Sequence, residues 1–487
     1  MADDGDARRL APKRRRAFAN RRATGPDAAV GRGGGWARRL LEPLLFPLLR
    51  AGFGKKGIIL TIIDQADHLL VIRLNNFLAI EAAYGSAAAR GAVEHLRRAA
   101  ERHLGRIQPQ RIEQDEIELT ARQPVMKGLP MGALVDALCC VLSADPFRCG
   151  DVDLLLSVSA GYAGAGEAGD AVSGRSRQGL ARARLAASTL PDMPLARSDE
   201  GLTHYRKDME AAARLLTLVR RGAAFLSWRP VARPQDPGTI LYHEALLRRV
   251  GDRGEPMDCA EAYGALERLG LAHLLDRQML SDVLDELEAD PASCLSVAIS
   301  SQSLSLNLHG EAAGWSDLLD RLRREPGLGR RLVVEIADNS GMACFRDALA
   351  FVRALRGLGV RISVARFGSG HASIGQLLAL SPDVVKLDGP FMHTAYQSER
   401  NRMRVGHLLG LARTVSPTVI VDGIESPWHL HLAVEEGAQW VAGSHLGRPS
   451  LRRGWLNAGY GDSVASLAAF NSLFQQREPG RRHVALR

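Results

Sequence analysis

The sequence contains few cysteines and no long apolar run, and both absences narrow what it can encode. Its cysteines form no C-x-x-C pair and match no zinc-binding spacing, so we predict reduced thiols of a cytoplasmic protein. No apolar run approaches the roughly 18 residues that a membrane-spanning helix needs, and no signal-peptide pattern is present. The six cysteines are Cys139, Cys140, Cys149, Cys259, Cys294 and Cys344.

The positive charge of the chain is confined to one segment. Residues 1–56 hold 14 Lys and Arg against 5 Asp and Glu, which equals the whole net charge of +9. Arg-rich arms bind nucleic-acid backbones. However, the sequence has no helix-turn-helix, no zinc finger and no interleaving of aromatic and basic residues, so we do not expect nucleic acid as a partner.

Two interpretations of this basic segment remain open. Residues 36–53 mix Leu and Phe with Arg, a composition typical of a short element that lies on an anionic membrane surface. Such an element would give peripheral contact with the inner face of the membrane. The alternative is a solvated tail and a helix packed on the next domain, which Pro43 and Pro47 favour because they interrupt a continuous helix.

The remaining pattern divides the chain into further segments. A length of 487 residues accommodates two or three domains. Residues 1–55 form the basic segment, residues 56–195 show an α+β pattern, and residues 196–222 are predicted to be a connecting helix. In residues 223–460 strands alternate with helices, which favours an α/β fold with a parallel sheet, compatible with a (β/α)8 barrel. Residues 461–487 are a C-terminal extension.

Several motifs of the barrel segment occur where predicted strands end. LYHEALLR begins at Leu241, shortly after a predicted strand over residues 225–232. It is followed by VVEIADNS, ISVARFGSGHAS, DVVKLDGPF and VIVDGIES, which begin at residues 333, 362, 383 and 419. This series resembles the EAL-domain family of cyclic di-GMP phosphodiesterases over about half of the chain. The resemblance implies a TIM-like barrel with its site at the C-terminal strand ends.

The resemblance also identifies the positions of the family's catalytic residues. Hydrolysis in the family needs two divalent cations held by many carboxylates. Glu244 and Glu335 are retained, Lys386 matches the water-orienting lysine, and Asp422 stands in place of a glutamate. Other ligand positions are lost: an asparagine, two aspartates and a glutamine are matched by Ala298, Ala365, Arg366 and Ala442.

We therefore predict that the catalytic residues are remnants and that no metal is bound. If a metal were bound, its ligands would be Glu244, Glu335 and Asp422, and Mg or Mn would be needed only by an active phosphodiesterase. We also hypothesise that Arg366 replaces a metal ion and forms an ion pair with Glu244 or Glu335.

Ligand binding is a separate question from hydrolysis. The resemblance implies that Leu246 and Arg248 contact cyclic di-GMP, with Arg366, Asp388 and Glu425 as further candidates. Arg229 replaces a glutamine of the family and counts against binding, so retained binding and residual barrel packing without a ligand both remain open. The loop of residues 368–370 predicts a family-like homodimer through the barrel.

The α+β segment resembles a GGDEF domain, the diguanylate cyclase fold, which is palm-like or ferredoxin-like. Asp115 and Glu116 match the acidic end of its signature, but Arg73 occupies the metal aspartate position. Glu113 and Gln114 replace glycines, and an Asn-Asp pair is matched by Glu81 and Ala82. We therefore expect no cyclase activity.

These observations together predict a catalytically inactive cyclic di-GMP signalling protein. It would act either as a receptor for cyclic di-GMP or as a scaffold for an unidentified protein partner. The alternative is an active phosphodiesterase with a rearranged metal site, which would release linear pGpG.

Overall fold

The computed structural model describes residues 67–104, 107–112, 114–122, 131–163, 198–251, 256–304, 315–337, 344–447 and 449–450, together with the single residues 181 and 342. The predicted basic segment and the C-terminal extension lie outside these residues. All six cysteines lie within them and are free thiols, as predicted.

The first unit is a small antiparallel sheet covered by helices. Its apolar core includes Leu70, Ile72, Phe77, Leu96 and Leu142. The strand order is β2-β3-β1-β6, with β1 paired antiparallel to β3 and β6. The elements are β1 (Asp67–Leu74), α1 (Phe77–Tyr84), α2 (Ser86–Leu104), β2 (Ile107–Ile112), β3 (Glu116–Arg122), α3 (Met131–Ala144), β4 (Phe147–Cys149), β5 (Val152–Leu154) and β6 (Val158–Ala163).

The connecting helix α4 (Asp199–Arg220) joins this unit to the barrel. It lies within the predicted range of residues 196–222, and Ser198 caps its start: the Ser198 hydroxyl accepts a hydrogen bond from Gly201 N at 3.2 Å. One face of α4 is buried, including Tyr205 and Met209. The helix ends before Gly222, whose φ of 68° lets the chain turn directly into the first barrel strand.

Eight strands close the barrel. They are β7 (Ala224–Ala232), β8 (Ile240–Val250), β10 (Leu295–Ser300), β11 (Leu332–Ala337), β12 (Arg361–Phe367), β13 (Val384–Leu387), β14 (Thr418–Val421) and β15 (Trp440–Ala442), while β9 (Pro256–Asp258) only extends β8. Neighbouring strands are parallel except β7, which is antiparallel to both β8 and β15. The predicted α/β barrel is confirmed, but the β7–β8 hairpin makes it differ from eight regular βα repeats.

Helices surround the barrel and bury its outer face. Val297, Ile299, Val334 and Ile336 point outward into the same apolar core as the helical residue Phe351. The helices are α5 (Ala260–Arg268), α6 (Ala272–Ala289), α7 (Ser301–Leu304), α8 (Ser316–Arg324), α9 (Pro326–Gly329), α10 (Phe345–Gly357), α11 (Ile374–Leu380), α12 (Gly389–Thr394), α13 (Glu399–Val415) and α14 (Pro427–Glu435), with a 3-10 turn at Ala395–Gln397.

A second, smaller apolar cluster fills the barrel interior. It contains Tyr242, Val333, Val384 and Ile420, each contributed by a different strand. Side chains two residues apart on a strand share a face. Positions 244, 335, 386 and 422 therefore project into the same interior, one layer nearer the C-terminal strand ends.

Candidate functional site

The ammonium group of Lys386 occupies the point at which the retained carboxylates converge. Its Nζ donates to Glu244 Oε1 and lies 3.4 Å from both Glu335 Oε2 and Asp422 Oδ2. The exposed fractions of Lys386, Glu244 and Glu335 are 5%, 3% and 9%. The structure thus brings together the four residues predicted to be catalytic remnants, held by four different strands or strand ends.

A second cation, Arg229, completes the cluster from strand β7. Its Nε donates to Glu244 Oε2 at 2.6 Å, and its Nη2 donates to Asp422 Oδ2 at 3.2 Å. Position 229 pairs with position 244 across the antiparallel β7–β8 hairpin, so the two side chains are neighbours by register. Glu244 is consequently bound on one oxygen by Lys386 and on the other by Arg229.

The charges of this cluster perturb one another. Burial acts to lower the pKa of Lys386, but Asp422, Glu244 and Glu335 raise it well above its ordinary value. Burial raises the pKa of Glu335 despite the nearby ammonium. For Asp422 the opposite holds: burial is outweighed by Lys386 and Arg229, which lower its pKa. The buried cluster therefore favours ionised Asp422 and opposes ionisation of Glu335.

The hypothesis that Arg366 pairs with Glu244 or Glu335 is wrong in its choice of arginine. Arg366 lies at the end of β12, where its Nε is 3.7 Å from Asp388 Oδ2 and its side chain is 44% exposed. Its φ of 58° is a backbone conformation uncommon for a non-glycine residue. The register of β12 shifts between Val364 and Phe367, so the regular alternation of faces is interrupted there, and the Arg366 side chain reaches the barrel rim instead of the interior.

The described side chains do not fit the two-metal centre that the family's chemistry requires. Ala298 lies opposite Glu335 in the parallel register of β10 and β11 and offers only a methyl group. Ala365 is buried and likewise has no ligand atom. Both oxygens of Glu244, both oxygens of Glu335 and Oδ2 of Asp422 already accept hydrogen bonds from Lys386 or Arg229, and Asp422 Oδ1 accepts one from Gly423 N. Among the described residues, no three His, Cys, Asp or Glu side chains are arranged to hold a metal ion.

An open cavity lies at the barrel mouth, lined by residues of β8, β10 and β12 but by none of the five residues of the charged cluster. Its volume is about 670 Å³, and its lining is mostly apolar with a few charged groups. Of the predicted ligand residues, Leu246 and Arg366 line it, whereas Arg248 donates to Asp258 Oδ2, itself part of the lining. Asp388 does not line the cavity; it accepts a hydrogen bond from the Ser369 hydroxyl and lies 3.7 Å from Nε of the lining residue Arg366.

The structure does not bring Glu425 into this cavity. The Glu425 carboxylate is 3.3 Å from His393 Nε2 and 57% exposed, and Glu425 is not a lining residue. Helix α5 supplies instead a part of the wall that motif comparison missed, including Tyr263, Glu267 and Arg268. The position of α5 in the connection that follows β8 could have indicated this contribution, because such loops and helix starts face the C-terminal strand ends.

The first unit also contains an arginine among carboxylates. Arg73 Nε is 3.0 Å from Asp115 Oδ2 and 3.8 Å from Glu116 Oε1. Gln114 is exposed at the turn between β2 and β3, and Glu81 and Ala82 lie on α1, while Glu113 falls outside the described residues. A cation thus occupies the neighbourhood of both retained acidic residues of this unit.

Comparison with known proteins agrees with the barrel geometry. The family model for the EAL domain matches residues 212–449. An uncharacterized signaling protein of Caulobacter vibrioides is 28% identical over 279 residues, which cover 53% of this chain and 33% of that protein. The cyclic di-GMP phosphodiesterase PdeB of Shewanella oneidensis is 22% identical over 255 residues, which cover 52% of this chain and 29% of PdeB.

Among solved structures, the FimX EAL domain of Pseudomonas aeruginosa bound to cyclic di-GMP is 23% identical, with a TM-score of 0.42. The match covers 50% of this chain and 96% of that one. The chain spans about a third of the length of the curated relatives it matches. No helix among the described residues is both long and apolar enough to span a membrane. Residues 212–449 are an EAL domain of the cyclic di-GMP signalling family.

Proposed function

We propose that this chain is a catalytically inactive cyclic di-GMP signalling protein whose EAL domain serves as a receptor. Relatives named as cyclic di-GMP phosphodiesterases support the ligand, as does the FimX EAL domain bound to cyclic di-GMP. The cavity is lined by residues other than those of the buried charged cluster, so a ligand can bind there without a metal ion in the cluster.

The proposal rests on the contacts of three carboxylates, Glu244, Glu335 and Asp422, with the protein cations Lys386 and Arg229. Phosphodiester hydrolysis in this family uses metal ions to activate water and to neutralise developing charge. Lys386 and Arg229 take up the oxygens of Glu244, and they share Asp422 between them. A metal ion that displaced one of these side chains from the carboxylates would leave a buried ammonium or guanidinium without its counter-ions, which is energetically costly.

The cavity favours a receptor over a pure scaffold. Its volume of about 670 Å³ lies in the range of small-molecule sites, about 300–1,000 Å³. Apolar side chains such as Leu246 and Met279 provide surface for planar groups, and Arg366 can donate two hydrogen bonds to a phosphate. A barrel mouth that served only to pack the barrel would not require an open cavity with the cation Arg366 at its rim.

The same proposal assigns the first unit to a degenerate GGDEF-like domain. Support comes from its strand order β2-β3-β1-β6 with helices between strands, the arrangement of a ferredoxin-like βαββαβ fold. The pairing of Arg73 with Asp115 argues against a Mg²⁺ site there, because a fixed cation stands beside the acidic residue. This unit would then have a structural or regulatory role instead of a cyclase role.

The test is calorimetric titration of cyclic di-GMP into the full chain with Mg²⁺ and then Mn²⁺ present, followed by assay of the same samples for linear pGpG. We expect binding without product. Metal-dependent pGpG would overturn the claim of inactivity and establish the active phosphodiesterase. Absence of binding would overturn the receptor and leave the scaffold for a protein partner.

A pair of variants makes the binding result specific to the cavity. Arg366→Ala removes a lining cation and should weaken binding about tenfold or more, as expected for a charged hydrogen bond worth about 1.5–3 kcal/mol. Arg346→Ala is the matched control, because this arginine is 92% exposed and lines no part of the cavity. Equal affinities of the two variants would contradict binding at the barrel mouth.

A further inference from the structure

One arginine belongs both to the cavity wall and to the joint between the two halves of the chain. Arg268, the last residue of α5, lines the cavity. Its Nε and Nη2 donate to the two carboxylate oxygens of Asp208 on the connecting helix α4, at 2.8 and 2.7 Å. This bidentate ion pair is the geometry in which arginine binds carboxylates most strongly.

Asp208 depends on this arginine. Its side chain is only 9% exposed although it is a carboxylate, and it also lies 3.4 Å from Nε2 of His204, whose side chain is 62% exposed. A buried carboxylate that loses its ion-pair partner is strongly destabilised. If Arg268 were taken by another anion, α4 would have to move so that Asp208 reached water.

The residues beside Asp208 tie α4 to the first unit. Tyr205 Oη accepts a hydrogen bond from Asn76 Nδ2 at 3.3 Å, and Arg206 Nε donates to the carbonyl of Ala83 at 2.9 Å. The sulfur of Met209 accepts from Leu155 N at 3.1 Å. One stretch of α4 therefore contacts the first unit through three side chains and the barrel through Asp208.

Arg268 has a donor directed away from Asp208. Its Nη1 lies over Gly264, where a Cβ would be only 3.3 Å from that nitrogen, and Gly264 also lines the cavity. The missing side chain at position 264 leaves the guanidinium face accessible along the wall. Half of the Arg268 side chain, 49%, is exposed. A phosphate in the cavity could therefore approach the same guanidinium that holds α4.

We propose that Arg268 is shared competitively, so that an anionic ligand in the cavity and the docked position of α4 exclude each other. This inference rests on the proposed receptor function, and it adds how binding is transmitted to the rest of the chain. A phosphodiester ligand recruits Arg268, Asp208 loses its bidentate partner, and the segment of α4 around residues 205–209 loosens from both halves. Because α4 continues through Gly222 into β7, the movement reaches the strand that carries Arg229.

The coupling between ligand binding and the docking of α4 must be reciprocal, and this requirement provides a test. If ligand binding weakens the docking of α4, then weakening that docking must tighten ligand binding by the same factor. Asp208→Asn keeps the shape of the side chain but removes the charge that competes for Arg268. We expect cyclic di-GMP to bind the full-length variant about tenfold more tightly than the wild type, within the usual range of coupling between sites. Asp285→Asn is the matched control, because Asp285 pairs with Arg321 and lines no part of the cavity.

Hydrogen exchange on the unmodified chain tests the same inference without a substitution. Amides of residues 205–216 should exchange faster when cyclic di-GMP is bound, whereas the amides of α13 should not change. Tighter binding by Asp208→Asn together with faster exchange would support competition for Arg268. Equal or weaker binding by Asp208→Asn, or unchanged exchange in α4 at saturating ligand, would overturn the competition while leaving the receptor intact. Failure of both wild type and Asp208→Asn to bind would overturn the receptor and the competition together.

Discussion

Each half of the chain places an arginine among acidic residues, but the two arginines lie in different environments. Arg73 in the first unit pairs with Asp115, and their side chains are 33% and 31% exposed. Arg229 in the barrel pairs with Glu244, and these side chains are 19% and 5% exposed. The first pair is in contact with water, whereas the second is enclosed with Lys386, Glu335 and Asp422.

This difference shows why similar substitutions have unequal consequences. Exposed ion pairs contribute little because solvent screens the charges, about 0–1 kcal/mol. Buried charges have lost their hydration and depend on their partners, so removal of one partner costs about 3–5 kcal/mol. Arg229 is therefore expected to be part of the stability of the barrel, and Arg73 is expected to be nearly dispensable for the stability of its unit.

Arg229→Gln gives the largest expected effect. Glutamine can donate one hydrogen bond to Glu244 but supplies no charge, and Lys386 remains in place, so we expect a loss of about 3 kcal/mol, the lower end for a broken buried pair. Denaturant unfolding of the full chain, followed by a probe of the barrel, measures it. A loss below about 1 kcal/mol would place Arg229 with the exposed pairs and remove the contrast between the two halves.

Glu335→Gln tests the electrostatics of the buried cluster through pH. Burial raises the pKa of Glu335 above its ordinary 4.5, so between these two pKa values the folded state binds more protons than the unfolded state. The stabilising contribution is full below pH 4.5 and is lost as the pH rises through the folded-state pKa, by at most about 1.4 kcal/mol for each pH unit.

The variant lacks this titration, so its free energy of unfolding should rise relative to the wild type from pH 4.5 upward and then level off. Unfolding curves at pH 4.5, 5.5, 6.5 and 7.5 would show the trend. Glu325→Gln, at an exposed position before α9, is the matched control for replacing a glutamate by glutamine. Curves for Glu335→Gln that run parallel to those of the wild type would contradict an elevated pKa at this site.

Most of the fold could be predicted because it depends on local pattern. The strands that hold Glu335, Lys386 and Asp422 are short apolar runs that end in polar motifs, and the structure has β11, β13 and β14 at those places. Bounds were less predictable where capping decides them, as at Ser198, after which α4 begins at residue 199 and not at the predicted residue 196. The antiparallel direction of β7 was not predicted. A β-hairpin and a βα repeat contain strands of the same apolar pattern and differ only in the segment that connects the strands.

The sequence was enough to predict which residues form the site, but not which arginine pairs with its carboxylates. Sequence position identified the four remnant residues and showed that cations had entered the mouth. It could not decide between Arg229 and Arg366, because this choice depends on which face of a strand each side chain occupies. Arg229 is opposite Glu244 by hairpin register, whereas a shift of register between Val364 and Phe367 directs Arg366 to the rim. The role of Arg268 depends on a contact across 60 residues of sequence.

Arg73→Gln gives the smallest expected effect and completes the comparison. Arg73 and Asp115 each keep about a third of their side-chain surface in water, so each can be solvated when the other is removed. We expect a loss below about 1 kcal/mol, and less still in 0.5 M salt, where exposed charges are further screened. The same denaturant titration used for Arg229→Gln measures it, with a probe in the first unit. A loss comparable to that of Arg229→Gln would mean that Glu116, 5% exposed and 3.8 Å from Arg73, is the true partner, and that the first unit too contains a buried charge that needs its arginine.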